Sequence, residues 1–409
     1  MRERIQSKLN DKSKMVILLV LITIFTIIYL LLNFSRSSQS GFISLDKDKP
    51  MDEFVQKVLH LTKDDNTGFL EYCEFNLQNI VIFLLIKITG SVQLAFNLYY
   101  VISFFLVSLS VYFLLKKLNF TFVTSVFLSV LAMLLPFHTD RGQGQILTSN
   151  FFMVPIYFGM IYDLYFKKDT DIDLKRYMIL LALAPIIDLR LSYMVIILMV
   201  VLGLSRMNLN TIKQTFICIL PMLIFSIIIS IMTNDKGIEM LSVMEQANSD
   251  GLRPLDMLVP VRYHVVGRLM NFRSDYDASF NANGESGLNS MGILLSIGFL
   301  YSLAILLLGK RNQDKLFEKW LGFINVNVIV FASIGGFCVY LEYIGIRVEY
   351  WNRMGIFIII TSIIIVAELI DKVKEIVNAR FGRYVSLLLF AGIEVMAILD
   401  ILLRRWMFF

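Results

Sequence analysis

Pro136 to Pro155 reads Pro-Phe-His-Thr-Asp-Arg-Gly-Gln-Gly-Gln-Ile-Leu-Thr-Ser-Asn-Phe-Phe-Met-Val-Pro, a polar interval closed on both sides by strongly apolar sequence. The flanks read as membrane helices, so a His, an Asp, an Arg and two glycines are held in a short turn at a membrane surface. A polar cluster tethered at both ends suits a reaction site or a phosphate clamp. The plainer account is a solvated turn between helices, with Gly for flexibility and Arg for a lipid headgroup.

The rest of the chain repeats this alternation. It has 409 residues, of which 57% are hydrophobic, and its mean hydropathy of +0.69 lies far above that of ordinary soluble domains. Apolar runs long enough for the hydrocarbon layer recur throughout, and in lipid such runs must be helical. The expected architecture is an all-α integral membrane protein forming one polytopic domain, 1–409. Spans fall near 15–33, 93–115, 119–135, 150–166, 177–187, 191–204, 212–232, 291–308, 320–341, 354–370 and 384–403, about eleven in all. Arg2, Arg4, Lys8, Lys12 and Lys14 precede the first run, Met15 to Asn33, which lacks a small-x-small cleavage site and reads as a retained helix. Gly335-Gly336, inside the ninth run, reads as a place for close helix packing.

Charge orients these spans. With the N-terminus cytoplasmic, Lys116-Lys117, Lys167-Lys168, Lys175-Arg176, Arg206, Lys213, Lys310-Arg311, Lys315, Lys319, Lys372, Lys374, Arg380 and Arg383 all fall inside. Only Arg404-Arg405 then lies outside. The net charge of +5 is distributed as these short clusters, a pattern of membrane topology and not of nucleic-acid binding. Cys73, Cys218 and Cys338 are far apart and form no disulfide framework or Cys-rich metal site.

The same orientation sends every long or polar connector outside: 34–92, 136–149, 188–190, 233–290 and 342–353. Chemistry is therefore expected on the extracytoplasmic face, out of reach of cytoplasmic ATP or nucleotide sugars, and no phosphate-binding loop ending in Lys-Ser or Lys-Thr is present. The first outer segment contains Asp46, Asp48, Asp52 and Glu53, then Phe54, Val55, Val58, Leu59 and Leu61 at helical spacing, an acidic opening to an amphipathic surface helix. Acidic residues there also suit the first turn of any helix. Ile80 to Ile88, interrupted by Lys87, is a second surface-helix candidate. Asp188 and Arg190 sit between two apolar runs, as a structural ion pair or a binding pair. The segment 233–290 reads as a functional cap or a disordered excursion, with His264 within it as a site residue or a plain surface residue. In the last outer turn Arg347, Glu349 and Arg353 flank Tyr350-Trp351, a combination suited to clamping a phosphate beside an aromatic surface.

Taken in order, Ala95-Phe96-Asn97-Leu98-Tyr99-Tyr100, Pro136-Phe137-His138 with Arg141-Gly142, Val154-Pro155, Asp188-Leu189-Arg190-Leu191-Ser192-Tyr193, Leu258-Val259-Pro260 with His264, and Arg347 with Asn352-Arg353 resemble bacterial polytopic glycosyltransferases of the GT-C type. The resemblance covers roughly residues 46 to 370. It implies an enzyme of the bacterial plasma membrane that takes a sugar from a polyprenyl-phosphate donor and passes it to a lipid-linked or cell-wall glycan acceptor on the outer face. Asp48, with Asp46 as rival, would then deprotonate the acceptor, supported by Asp52 and Glu53. Arg141, Arg347 and Arg353 would bind phosphate, with Asp188, Arg190, His264 and Glu349 as further substrate contacts, and His138 would orient phosphate or acceptor. The scheme fixes no cofactor, and Asp46 or Asp48 with His138 offers ligands for Mg or Mn.

Other classes compete with this reading. A lipid-linked sugar flippase or transporter calls for broken helices or ionisable groups near mid-membrane, whereas Glu368, Glu394 and Asp400 are few and mostly near span ends. A polysaccharide polymerase uses paired outer arginines, with its main charged loop late in the chain. A catalytically silent partner subunit is the third reading, motivated by Gln145, where the family pattern has a second His.

Overall fold

The computed structural model describes residues 11–34, 76–142, 146–167, 172–205, 208–232, 250–279, 285–309, 316–343 and 350–402. Sixteen α-helices occupy them, with three short 3-10 turns, and among the described residues the only β-pairing is an isolated bridge between Leu252 and Ser333. In chain order they are α1 (Asp11–Phe34), α2 (Leu77–Thr89), α3 (Val92–Lys117), α4 (Phe122–Leu134), α5 (Pro136–Gly142), α6 (Ile146–Ser149), α7 (Met153–Phe166) and α8 (Leu174–Ile187). They continue with α9 (Leu189–Ser205), α10 (Leu209–Met232), α11 (Gly267–Ser279), α12 (Gly292–Leu308), α13 (Leu316–Ala332), α14 (Phe337–Tyr343), α15 (Gly355–Phe381) and α16 (Arg383–Leu402).

Every expected span coincides with a helix, but among the described residues six are long and apolar enough to cross a membrane by themselves: Asp11–Leu31, Val92–Lys117, Phe122–Gly142, Leu209–Ile231, Trp351–Phe381 and Arg383–Leu402. A 14-residue helix such as α7 rises only about 21 Å, short of the roughly 30 Å hydrocarbon layer. Burial ranks the six. The apolar windows of Phe122–Gly142 and Trp351–Phe381 are each 89% enclosed by other helices, against 22% for the first span and 28% for the last. Thus α4 and α15 form the centre, while α1 and α16 lie at the periphery with faces such as Leu388 and Met396 exposed, as suits contact with lipid tails.

Close packing around α15 depends on small residues and polar links. A Cβ on Gly298 of α12 would lie 2.8 Å from the Ser362 carbonyl of α15, and one on Gly322 of α13 would lie 2.4 Å from the Ser302 carbonyl of α12. Asn325 ties the three helices together, donating to the Ser302 hydroxyl at 2.7 Å and accepting from the Thr361 hydroxyl. The pair Gly335-Gly336 has a different role from the packing expected of it. Gly335 adopts φ +71° and separates α13 from α14, so the ninth run is broken there.

The helices run back and forth between two ends. At one, Lys117 at the end of α3 meets Asp163 of α7 at 2.7 Å, and Asp163 also takes the Tyr177 hydroxyl at the start of α8. Asp371 of α15 accepts from the Thr121 N–H at 2.9 Å and from the Thr121 and Thr124 hydroxyls at 2.8 and 2.7 Å, which fastens the start of α4. Lys372 reaches Glu318 near the start of α13 at 3.2 Å. This is the basic end. At the opposite end, Leu252 bonds the Ala332 carbonyl at the close of α13, and Asn289 bonds the Asn352 carbonyl just before α15. Residues 250–279 and 285–290 cover that end as a folded cap containing α11 and two of the 3-10 turns, and the rest of the expected segment, 233–249 and 280–284, lies outside the described residues. The expected amphipathic stretch 45–61 lies outside the described residues. Ile80 to Ile88 lies within α2, which is capped by Asn76 and ended by Gly90 at φ +66°.

Candidate functional site

In the interval after α4, residues 136–142 and 146–149 are helical and largely buried at the cap end, which corrects the expectation of an exposed turn. Leu135 is extended, at ψ 146°, as the residue before a proline tends to be, and α5 starts afresh at Pro136. The break strips carbonyls of their helical partners, and side chains one turn on take their place. His138 Nδ1 lies 2.8 Å from the Met133 carbonyl and the Thr139 hydroxyl reaches back to the Leu134 carbonyl at 3.4 Å, while the Leu135 carbonyl takes the His138 and Thr139 N–H groups at 2.9 Å. A carbonyl can only accept, so the ring proton sits on Nδ1 and Nε2 faces the Ser103 hydroxyl of α3 at 2.8 Å. The imidazole is fully enclosed, edge-on to Phe104 and stacked near Tyr100. Tyr100 donates to the Thr139 carbonyl at 2.9 Å, and its ring passes so near α5 that a Cβ on Gly142 would fall 2.4 Å from Cε2. That approach, more than flexibility, requires the glycine.

Beside this break lies a cleft whose walls come from three parts of the chain. Phe137, Thr148, Asn150 and Phe151 come from the quoted interval, Asp188, Arg190, Leu191 and Met194 from the α8–α9 junction, and Arg353 and Ile356 from the start of α15. The cleft is narrow and open to solvent; the empty space at it, the bordering solvent included, is about 360 Å³. The Arg353 guanidinium stands 4.2 Å from the centre of the Tyr350 ring, and that of Arg190 stands 5.8 Å from the same ring. Tyr350 holds φ +42°, a left-handed conformation uncommon for a bulky residue, which aims its ring between two arginines that are distant in sequence. Asp188 caps α9, its Oδ1 accepting from the Leu191 N–H at 2.9 Å. Arg141 lies against the face of Phe137 at 4.3 Å, one ring behind the cleft wall.

The floor of the cleft is set by a chain of hydrogen bonds. Gln78 of α2 donates to the Ile187 carbonyl at 3.0 Å and takes the Tyr99 hydroxyl on its Oε1. Asn150 in turn donates to the Tyr99 oxygen at 3.0 Å. Three helices and the α6–α7 junction are thereby locked beneath the arginines.

The cap contributes its own ties. His264 is buried, not a surface residue. Its Nδ1 accepts from the Val266 N–H at 3.0 Å, so Nε2 donates to Asp400 at 3.1 Å, and the second Asp400 oxygen takes the Ile293 N–H at the start of α12. Asp277 bridges Arg262 and Arg273, and Arg273 also donates to the Pro260 and Gly287 carbonyls. Burial and the hydrogen bond to Asp256 push the Tyr276 hydroxyl well above its ordinary pKa, so it stays a donor.

Of the expected site residues, the structure brings Asp188, Arg190 and Arg353 into one cleft. It places His138 and Arg141 behind the wall and His264 in the cap. Asp46, Asp48, Asp52, Glu53, Gln145, Arg347 and Glu349 lie outside the described residues, and with them the Asp–His metal arrangement. Among the described residues no group of three His, Cys, Asp or Glu side chains could hold a metal ion. Sequence reasoning missed Thr148, Asn150 and the Gln78–Tyr99 support; the only available signal was that Asn150 and Tyr99 both fall inside stretches singled out for other reasons. No family model, no curated protein and no solved structure matches this chain.

Proposed function

We propose that the protein is a multi-pass glycosyltransferase of the GT-C type in the bacterial plasma membrane. It moves a sugar from a polyprenyl-phosphate carrier to a glycan or glycolipid acceptor on the extracytoplasmic side. The observation that carries this reading is the convergence of Arg190 and Arg353, which both line the cleft, on the Tyr350 ring. Two fixed guanidinium groups suit a phosphate, and an aromatic face between them suits a sugar ring. The alternation of helices between the two ends supports about eleven crossings, with the N-terminus and the Lys-rich linkers cytoplasmic and the cap outside.

In this scheme the acceptor hydroxyl attacks the anomeric carbon while the bond from that carbon to the phosphate oxygen breaks. The hydroxyl proton passes to Asp48, or to its rival Asp46, and the bonding pair leaves with the polyprenyl phosphate. Arg190, Arg353 and Arg347 hold the negative charge that builds up on the departing phosphate.

The test uses full-length protein reconstituted in lipid, with radiolabelled polyprenyl-phosphate sugars and a membrane glycolipid extract. Arg353→Ala should lower transfer by roughly a hundredfold or more, as loss of a charge-stabilising donor does elsewhere, with folding intact by size-exclusion profile. Label that crosses the bilayer still attached to its carrier, with none transferred, would replace this reading by a flippase.

A further inference from the structure

Asn150 carries more information than a wall residue usually does, because the hydrogen bonds behind it fix which way its amide faces. The Ile187 carbonyl can only accept, so the amide nitrogen of Gln78 must face it and Oε1 must face Tyr99. The single Tyr99 proton is therefore given to Gln78. The Tyr99 oxygen can then only accept, so Asn150 presents Nδ2 to it at 3.0 Å and turns Oδ1 the other way. Asn150 is 5% exposed and lines the cleft, and among the described residues its Oδ1 has no hydrogen-bond partner. A buried carbonyl oxygen without a donor is unfavourable, and a ligand that brings a donor is selected over one that does not.

We propose that Asn150 is a specificity-determining residue of the cleft, whose Oδ1 accepts a hydrogen bond from a hydroxyl of the sugar on the phosphate carrier, with Tyr99 and Gln78 as its positioning residues. This rests on the proposed reading of the cleft as a phosphate-sugar site and divides it into two parts. The arginines beside Tyr350 recognise the charge that every carrier shares. Asn150, neutral and fixed in orientation, recognises the sugar. A carboxylate at that place would repel the phosphate held next to it, whereas an amide oxygen accepts a hydroxyl without adding charge.

The two parts have separate readouts. Full-length protein in nanodiscs is titrated with undecaprenyl phosphate and with its glucose, mannose, galactose and N-acetylglucosamine esters. Wild type should bind at least one ester about tenfold more tightly than the bare carrier, the scale of one well-placed hydrogen bond with its surrounding contacts. Asn150→Leu should erase that preference, lowering ester affinity about tenfold and bare-carrier affinity by clearly less. Tyr99→Phe, which frees the amide without touching the ligand, should reduce the preference by about threefold, and it serves as the second arm if Asn150→Leu does not fold. A preference that survives Asn150→Leu overturns the inference, as does an equal loss for bare and glycosylated carriers, or a wild type that does not distinguish them. In each of those cases continued binding of the bare carrier leaves the phosphate site standing. Wild type that binds no carrier at all overturns both.

Discussion

The basic end of the bundle and the cleft at the other end use polar residues differently. At the basic end, charges are spent on joining helices. Asp163 holds Lys117, Lys167 and Tyr177, Asp371 holds the start of α4, and Lys372 joins Glu318 to Glu368. At the cap end, Asn150 is oriented by its neighbours but keeps an acceptor unsatisfied, and two arginines meet over one aromatic ring in a cleft. A side chain bonded on every side contributes to stability and can offer little to a ligand. One held in place with an atom to spare is prepared for binding, at some cost in stability.

The sharpest test of that contrast is Asp371→Ala. The carboxylate is buried and accepts three hydrogen bonds, two from hydroxyls and one from the Thr121 N–H at the start of α4. Its removal should destabilise the protein by about 3 kcal/mol, since hydrogen bonds to charged groups are among the stronger ones and the Thr124 hydroxyl would stay buried without its acceptor. Thermal unfolding in detergent measures this. Carrier affinity, measured well below the transition, should be unchanged; a variant of normal stability, or one that loses carrier binding while folded, would break the division between the ends.

The fold was largely legible because runs of apolar residues leave little choice but helix. What escaped was where a helix breaks and what happens next. His138, Thr139 and Arg141 look like loop residues in a list of letters, and the sequence does not say that the first two serve the Met133 and Leu134 carbonyls where the helix breaks. Gly335 and Gly336 have the composition of a packing face, and only the positive φ shows that the chain turns there. In the site, Arg190 and Arg353 could be singled out because charge beside an apolar run is conspicuous. Asn150 could not, since its meaning depends on Gln78 and Tyr99 and on the direction of each proton between them. Such dependence is spatial, and no spacing rule along the chain encodes it.

A smaller loss is expected from Gly142→Ala, which probes the buried break from behind. The added methyl would sit 2.4 Å from Tyr100 Cε2, so the ring must move and its bond to the Thr139 carbonyl must lengthen. Overpacking of this kind costs about 1–3 kcal/mol. Because α5 also carries Phe137 into the cleft wall, carrier affinity should fall with stability here, unlike at Asp371. A melting curve and a carrier titration on the same preparation decide it; a stability loss with full carrier affinity would show that the break and the cleft are independent.

The mildest change, and the one that separates ring from hydroxyl, is at Tyr350. Two guanidinium groups lie within cation–π range of it, at 4.2 and 5.8 Å, and such contacts contribute about 0.5–2 kcal/mol depending on how dry they are. Tyr350→Phe keeps the ring and should bind undecaprenyl phosphate nearly as wild type does. Tyr350→Leu removes the surface that holds both arginines apart and should weaken binding by about three- to tenfold, through loss of preorganisation more than loss of contact. The expected order is therefore wild type, then Phe, then Leu, with stability little changed across the three. Equal affinities for Phe and Leu would mean that the arginines are held by other partners. The cap end would then resemble the basic end, its charges spent on the fold.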